Sequence, residues 1–329
     1  MKLTTFTSSK SQATDYYRSI GPFTRLALQK KFEHTICPQE RAQWHDIYNT
    51  DIVLIQRPNS TASLGIMADA KRMGKKVIID FDDHLLEVPE DNPASNYFSN
   101  PQVQKQIQDT FLFADAVIVS TKKLYDLYFP MCQGKIPMFI IPNGWNPTDM
   151  PMFEVQERHT PTRFIWRGGS THFSDLHTIK PEINQMLEMN TEVTFFGLNK
   201  FMMYDLNKKA INVDWSSMFV YFTFMQRIEG DFGFYPLVRN DFNQSKSNIF
   251  AIECIANGMP VLADSFFPEF NMPGVIHYDN PAKFIELVTD IVNGNIDKVS
   301  NVKAGRSYVK EVLHIDLLNK KRWEILKGI

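Results

Sequence analysis

Cysteine is scarce in this chain and does not organise it. Cys37, Cys132 and Cys254 are the only three among 329 residues, far apart, with no CxxC and no Cys/His pairing. That excludes a disulfide framework and a thiolate zinc site and suits a reducing compartment. No run approaches the roughly 18 apolar residues of a membrane span. The N-terminal MKLTTFTSSKSQATDYY also lacks the apolar core of a signal peptide. A soluble, cytoplasmic protein is expected. Charge of one sign is missing too: a formal net charge of -2 carries no global signature for nucleic acid or anionic membrane. The local basic run Lys71, Arg72, Lys75 and Lys76 reads as surface residues flanking a core strand. Three motifs are absent. There is no GxGxxG after a strand, no GxxxxGK[ST] and no GxSxG, so the usual dinucleotide, P-loop and hydrolase-elbow readings lack support.

What is present is ordinary globular composition, 43% hydrophobic and 22% charged, with 26 Phe to fill a core. At this length two domains are the default. Short, β-branched, nearly all-apolar runs at 51–56 (DIVLIQ), 75–80 (KKVIID), 116–120 (AVIVS) and 138–141 (MFII) read as strands buried on both faces. A first strand near the N-terminus precedes them. Helices are predicted to open near Asp15, with Phe23, Leu26 and Leu28 inward, and to span 63–73 and 101–114. A Pro- and Thr-rich stretch, NPTDMPMFEVQERHTPT, follows. A second set then runs through strand 164–166, helix 175–189, strand 192–196, strand 234–238, strand 274–278 and helices to the end; 211–230 holds one more strand or helix edge. Strands alternating with helices argue for parallel, doubly wound α/β domains, with ligands off the strand C-termini. The boundaries drawn are 1–147, a linker at 148–162, 163–310, and a C-terminal helix at 311–329 that can pack back on the first domain.

The most informative stretch is FYPLVRNDFNQSKSNIFAIECIANGMPVLADS, residues 234–265. Ser entry residues, Gly258 and Pro260 predict a helix over 246–257. Its N-terminus, with Lys246 beside it, is a ready phosphate site. Glu253, seven positions on, falls on nearly the same face about 10 Å along the axis, a spacing that suits phosphates at the start and ribose hydroxyls two turns later. The alternative is a solvated Lys and Glu on a surface helix. Arg167-Gly168-Gly169, leaving a strand, could grip an anion or simply mark a turn. Asp80, Asp82 and Asp83 at a strand end could hold a hard cation, serve a polar catalytic or acceptor-binding role, or act as caps. Tyr16, Tyr17 and Arg18 could line a cleft or pack and solvate; His84 and His172 lie on cleft loops but could be structural.

SKSN…ECIANGMPVLADS resembles the donor-binding segment of family-4-like GT-B glycosyltransferases. RFIWRGGSTHFSDL, IPNGWN, DYYRSIGPF and IDFDDHL are similar, in the same order, to other elements of that family. The resemblance implies two Rossmann-like domains facing a cleft and retention of anomeric configuration, with no obligatory metal or cofactor. The donor would be a nucleoside-diphosphate sugar, with a UDP-sugar expected. Carried over, Glu253 would bind the ribose, and Lys246, Ser247, Asn248, Arg167, Gly168 and Gly169 the diphosphate and sugar end. Ser245 stands in the donor site where many members have a second Glu. Asp82 or Asp83 would orient or deprotonate an acceptor hydroxyl, with Tyr16, Tyr17, Arg18 and His84 on the acceptor side. The acceptor would be a glycan or lipid-linked saccharide, or phage DNA carrying hydroxymethylated pyrimidines. The net charge speaks mildly against DNA, and an extruded base would need an aromatic pocket, for which Tyr16, Tyr17 and Trp145 are candidates. A non-hydrolysing nucleotide-sugar epimerase and a catalytically silent nucleotide-sugar-binding module are the competing readings.

Overall fold

The computed structural model describes residues 1–8, 13–198, 206 and 209–329. Two parallel sheets of six strands carry the chain. The first contains β1 (Lys2–Thr7), β2 (Glu33–Pro38), β3 (Ile52–Gln56), β4 (Lys76–Phe81), β5 (Ala116–Val119) and β6 (Met138–Ile140), in the order β2-β1-β3-β4-β5-β6. The second contains β7 (Thr162–Arg167), β8 (Thr191–Phe196), β9 (Ile211–Val213), β10 (Phe232–Tyr235), β11 (Val261–Asp264) and β12 (Val275–Tyr278), in the order β12-β11-β10-β7-β8-β9.

Parallel strands must be covered on both faces, and these sequences supply apolar residues for each. In β3, Ile52 and Leu54 face one layer while Val53 and Ile55 face the other. The first layer is completed by Phe23 and Leu26 of the helix Gly21–Lys30 and by Leu318, Ile325 and Leu326 of the C-terminal helix Ile315–Gly328. That helix therefore packs on the first sheet, although it follows the second in the chain. Around the second sheet the core is rich in aromatics, with Trp166, Phe195, Phe196, Phe232 and Phe234 all fully buried. Among the described residues no helix is long and apolar enough to cross a membrane. The basic run is internally paired: Lys71 and Lys76 meet Asp115, and Arg72 meets Asp69.

Several sequence expectations need correction. The helix expected at 246–257 begins three residues later, as Ile249–Ala256 with Asn248 as N-cap, because a short helix Asp241–Gln244 and a turn take up the Ser-rich entry. Helix 175–189 is two helices, Phe173–His177 and Lys180–Glu188, since Pro181 has no N–H to continue the ladder. The region 211–230 holds both a strand, β9, and a helix, Met218–Arg227. β2 was not anticipated; it is a half-exposed edge strand with no apolar run. Leu28 is 77% exposed rather than inward.

Tyr16–Ile20 forms a π-helical turn ahead of Gly21 and Pro22. The Gly21 N–H reaches back to Tyr16 O, and Pro22 contributes no donor. The widened turn carries Arg18 beneath the first sheet, where it is 1% exposed. Its Nε and Nη2 donate to Asp80 at 2.9 and 2.8 Å, and Nη1 donates to Ile141 O at 2.7 Å and Asn143 Oδ1 at 3.2 Å. Removing one member of such a pair strands the other charge in a low dielectric. Arg18→Ala is expected to cost about 3–5 kcal/mol in urea denaturation. A cost below about 1 kcal/mol would put this pair in the class of exposed salt bridges.

Candidate functional site

A cleft of about 400 Å³ opens where the C-terminal ends of the two sheets meet. That is the ligand position for open parallel sheets, and the volume lies in the range of small-molecule sites. From the first sheet it is lined by Arg57 after β3 and by Asp82 and Asp83 after β4. From the second it is lined by Arg167, Gly168, Gly169 and His172 after β7, Trp215 after β9, Tyr235 of β10, and Lys246 and Ser247. Another concavity, about 310 Å³, lies at the start of β7 and β8, and there Arg163 is already paired with Glu192 and Glu229.

On the second-sheet side the helix Ile249–Ala256 points its N-terminus at the cleft. Its first intrahelical bond is Ile252 N–H to Asn248 O, and Asn248 supplies no side-chain cap, so the preceding N–H groups have no partner within the helix. Lys246 lies beside this end, its Nζ 4.6 Å from the Phe242 ring centroid. No carboxylate among the described residues pairs with it. Ser247 Oγ accepts from Asn143 Nδ2 at 2.8 Å, which ties the loop ahead of this helix to the segment after β6. Gly168 is needed as glycine: a Cβ there would lie 2.5 Å from Trp166 Cη2 and 2.9 Å from His172 Cδ2.

Arg167 Nε donates to Glu253 Oε2 at 3.2 Å and its Nη2 donates to the same oxygen. Tyr221 Oη donates to Oε2 and Tyr17 Oη to Oε1, each at 2.6 Å. Burial, the largest single influence, opposes the Arg167 charge, but Glu253, Tyr221 and Tyr235 together raise the guanidinium pKa well above its ordinary value. Burial, then Glu253, pushes both tyrosines up as well, so their hydroxyls stay protonated and donate.

On the opposite wall Arg57 adopts a left-handed backbone, φ 46°, a strained state for a side-chain-bearing residue. Asp80 O accepts its N–H at 2.8 Å. Its guanidinium pairs with Asp82 and lies 3.5 Å from Asp83. Asp80, Asp82 and Asp83 are thus matched by Arg18 and Arg57, and among the described residues no group of three or more His, Cys, Asp or Glu is placed to hold a metal ion.

Of the residues singled out from sequence, Asp82, Asp83, Arg167, Gly168, Gly169, His172, Lys246 and Ser247 come together around the cleft. The others do not line it. Tyr16 bonds Asp149 and Asn146, Tyr17 bonds Glu253, and Arg18 is spent on Asp80, so all three are internal fastenings rather than an acceptor wall. His84 is buried beside Glu87, 3.3 Å away. Ser245 is buried: its hydroxyl donates to Asp241 O at 3.0 Å and its carbonyl accepts from Thr121 at 3.1 Å. Asn248 Nδ2 donates to Met272 Sδ. Glu253 is 0% exposed with both oxygens engaged, so neither the solvated reading nor direct ribose contact describes this arrangement. Arg57, Tyr235 and Trp215 were missed. Arg57 was findable as the residue immediately after a buried strand; Trp215 fell in the unsettled 211–230 stretch.

The same two-sheet arrangement recurs in sucrose-phosphate synthase from Thermosynechococcus elongatus, with 11% identity, a TM-score of 0.70, and 100% of this chain matched to 99% of that one. HepE of Anabaena in complex with UDP-glucose matches at 11% identity and TM-score 0.66, with 100% of both chains covered. TarM of S. aureus matches at 13% identity and TM-score 0.59; 83% of this chain aligns, spanning 54% of TarM. The fold is GT-B. No family model matches the chain, and no curated protein matches its sequence. At these identities the likeness is one of fold, and the GT-B cleft must be read from its own residues.

The fastening of Glu253 predicts a graded stability series. Tyr17→Phe removes one donor and is expected to cost about 1–3 kcal/mol. Glu253→Ala leaves Arg167 buried without its partner and is expected to cost about 3–5 kcal/mol. Thermal and urea unfolding of the two variants check the order.

Proposed function

We propose that this chain transfers a sugar from a nucleoside-diphosphate sugar to an acceptor hydroxyl in the GT-B cleft, with retention and without an obligatory metal. The observation that carries this reading is the cationic wall made by Lys246, Arg167 and the helix N-terminus, beside the close-packed Gly168–Gly169 loop and facing the carboxylates of Asp82 and Asp83. Breaking the sugar–phosphate bond leaves negative charge on the diphosphate, and the first wall is aimed at where that charge develops. In this reading Asp82 and Asp83, held by Arg57, orient the acceptor hydroxyl and take its proton. HepE holding UDP-glucose supports a UDP-sugar as the donor. Glu253 acts in this scheme by holding Arg167 in place. We read residues 1–147 as the acceptor-side domain and 163–310 as the donor-side domain, with 148–162 as linker and 311–329 as the returning helix.

A neutral saccharide suits the acceptor side better than DNA. Asp82 and Asp83 outnumber Arg57 on that wall, whereas phosphate backbones are held by Lys and Arg. The sealing of Glu253 under Tyr17 and Tyr221 favours one competing reading, a module that binds the nucleotide sugar without transferring it.

The test is a thermal-shift screen of nucleotide sugars, followed by mass spectrometry of transfer to neutral oligosaccharides and to hydroxymethylated DNA. Lys246→Ala is expected to lower transfer by about 10²–10³-fold. Asp83→Asn is expected to reduce transfer while sparing donor affinity. Near-normal transfer by Lys246→Ala with unchanged donor affinity would sink the mechanism, and donor binding without transfer to any acceptor would select the silent module.

A further inference from the structure

His172 has no part in the scheme above, yet it is the most elaborately held side chain on the donor wall. Its Nδ1 lies 2.7 Å from Asp175 Oδ2. Asp175 is 4% exposed, and its other oxygen accepts the Val238 N–H and Asn243 Nδ2, each at 2.8 Å. Two donors from the segment after β10 therefore fix this carboxylate, and the carboxylate in turn fixes the imidazole with a proton on Nδ1. Nε2 is left with the Tyr235 hydroxyl at 3.4 Å, long for a hydrogen bond between two groups that both line the cleft. The ring has room only because residue 168 lacks a Cβ.

We propose that His172 is a proton-switched contact to the donor's diphosphate: neutral in the empty cleft, and protonated on Nε2 when the phosphates arrive beside it and Lys246. The inference rests on the reading of this cleft as a nucleoside-diphosphate-sugar site.

The charged and titratable groups facing His172 are Asp175 from the helix that follows it, Arg167 from β7, Lys246 from the donor loop and Tyr235 from β10, with Asp83 and Glu253 acting on Tyr235. In the empty cleft burial lowers the imidazole pKa, Lys246 and Arg167 add to this, and the Asp175 bond works against them. A bound diphosphate brings two negative charges to Nε2 and reverses the balance. The protonated form then binds more tightly. By linkage, donor affinity is greatest at low pH and falls as pH rises through the pKa of the complex, by at most about tenfold per pH unit.

UDP-glucose is the probe, because its diphosphate diester has no titration near neutrality. Calorimetric titration of the full chain at pH 7, in two buffers of different ionisation heat, counts the protons taken up. Uptake is expected for the wild-type protein and for His84→Gln, a control that removes a histidine outside the cleft and keeps His172. His172→Gln, with a neutral amide in place of Nε2, is expected to bind with no uptake and a flat pH profile. Asp175→Asn is expected to move the fall in affinity to lower pH. Wild-type binding without proton uptake, or uptake that survives in His172→Gln, overturns the proposal. Failure of the wild-type protein to bind UDP-glucose at any pH overturns the donor-site reading itself, and is recognisable because it does not depend on His172.

Discussion

The ion pair between Arg167 and Glu253 is the interaction on which the rest of the cleft depends. Taking two charges out of water costs several kcal/mol per ion, and only good geometry with further hydrogen bonds recovers it. Here the recovery draws on the whole molecule. The guanidinium ends β7, the carboxylate sits in the helix Ile249–Ala256, and the remaining donors are Tyr221 from the second-sheet half and Tyr17 from the first. The same bonds keep Arg167 in one orientation, with its guanidinium 5.5 and 5.7 Å from the Tyr221 and Phe250 ring centroids. One consequence is chemical. Because Glu253 largely cancels the Arg167 charge, an anion on this wall meets its attraction in Lys246, the backbone N–H groups and His172.

The two walls are electrically unlike, and their loops are built to keep them so. Across the cleft Arg57 is strained into a left-handed backbone to meet Asp82 and Asp83 from the end of the neighbouring strand. Both walls thus use an arginine held by carboxylates. On the Arg167 wall the carboxylate is sealed away and cationic groups remain at the surface. On the Arg57 wall the arginine is outnumbered and carboxylates remain.

The fold was legible because strands buried on both faces announce themselves. Val53-Leu54-Ile55 and Val77-Ile78-Ile79 admit little else, and β2 was passed over because an edge strand has no need of such a run. Cleft residues were legible where they directly follow those strands, as with Asp82, Asp83 and Arg167. What could not be read is which side chains turn inward. Tyr17 and Glu253 are 236 residues apart, and no local pattern records that they touch. The same holds for Arg18 with Asp80 and for Ser245 with Thr121. The helix starts later than 246 for a local reason: Asn240 caps a separate short helix, Asp241–Gln244, and the turn that ends it bonds the Ser245 and Lys246 N–H groups back to Phe242 O and Asn243 O.

The chain passes between the two sheets twice, once after Asn143-Gly144-Trp145 and once on its return into the C-terminal helix. At that point Trp145 N–H donates to Leu313 O at 2.8 Å and Ile315 N–H donates to Trp145 O at 2.9 Å. Gly144 allows the approach, since a Cβ there would lie 2.8 Å from Leu318 Cδ1. Two passages laced side by side act as a single pin. The sheets cannot slide past one another at this point without breaking that lacing.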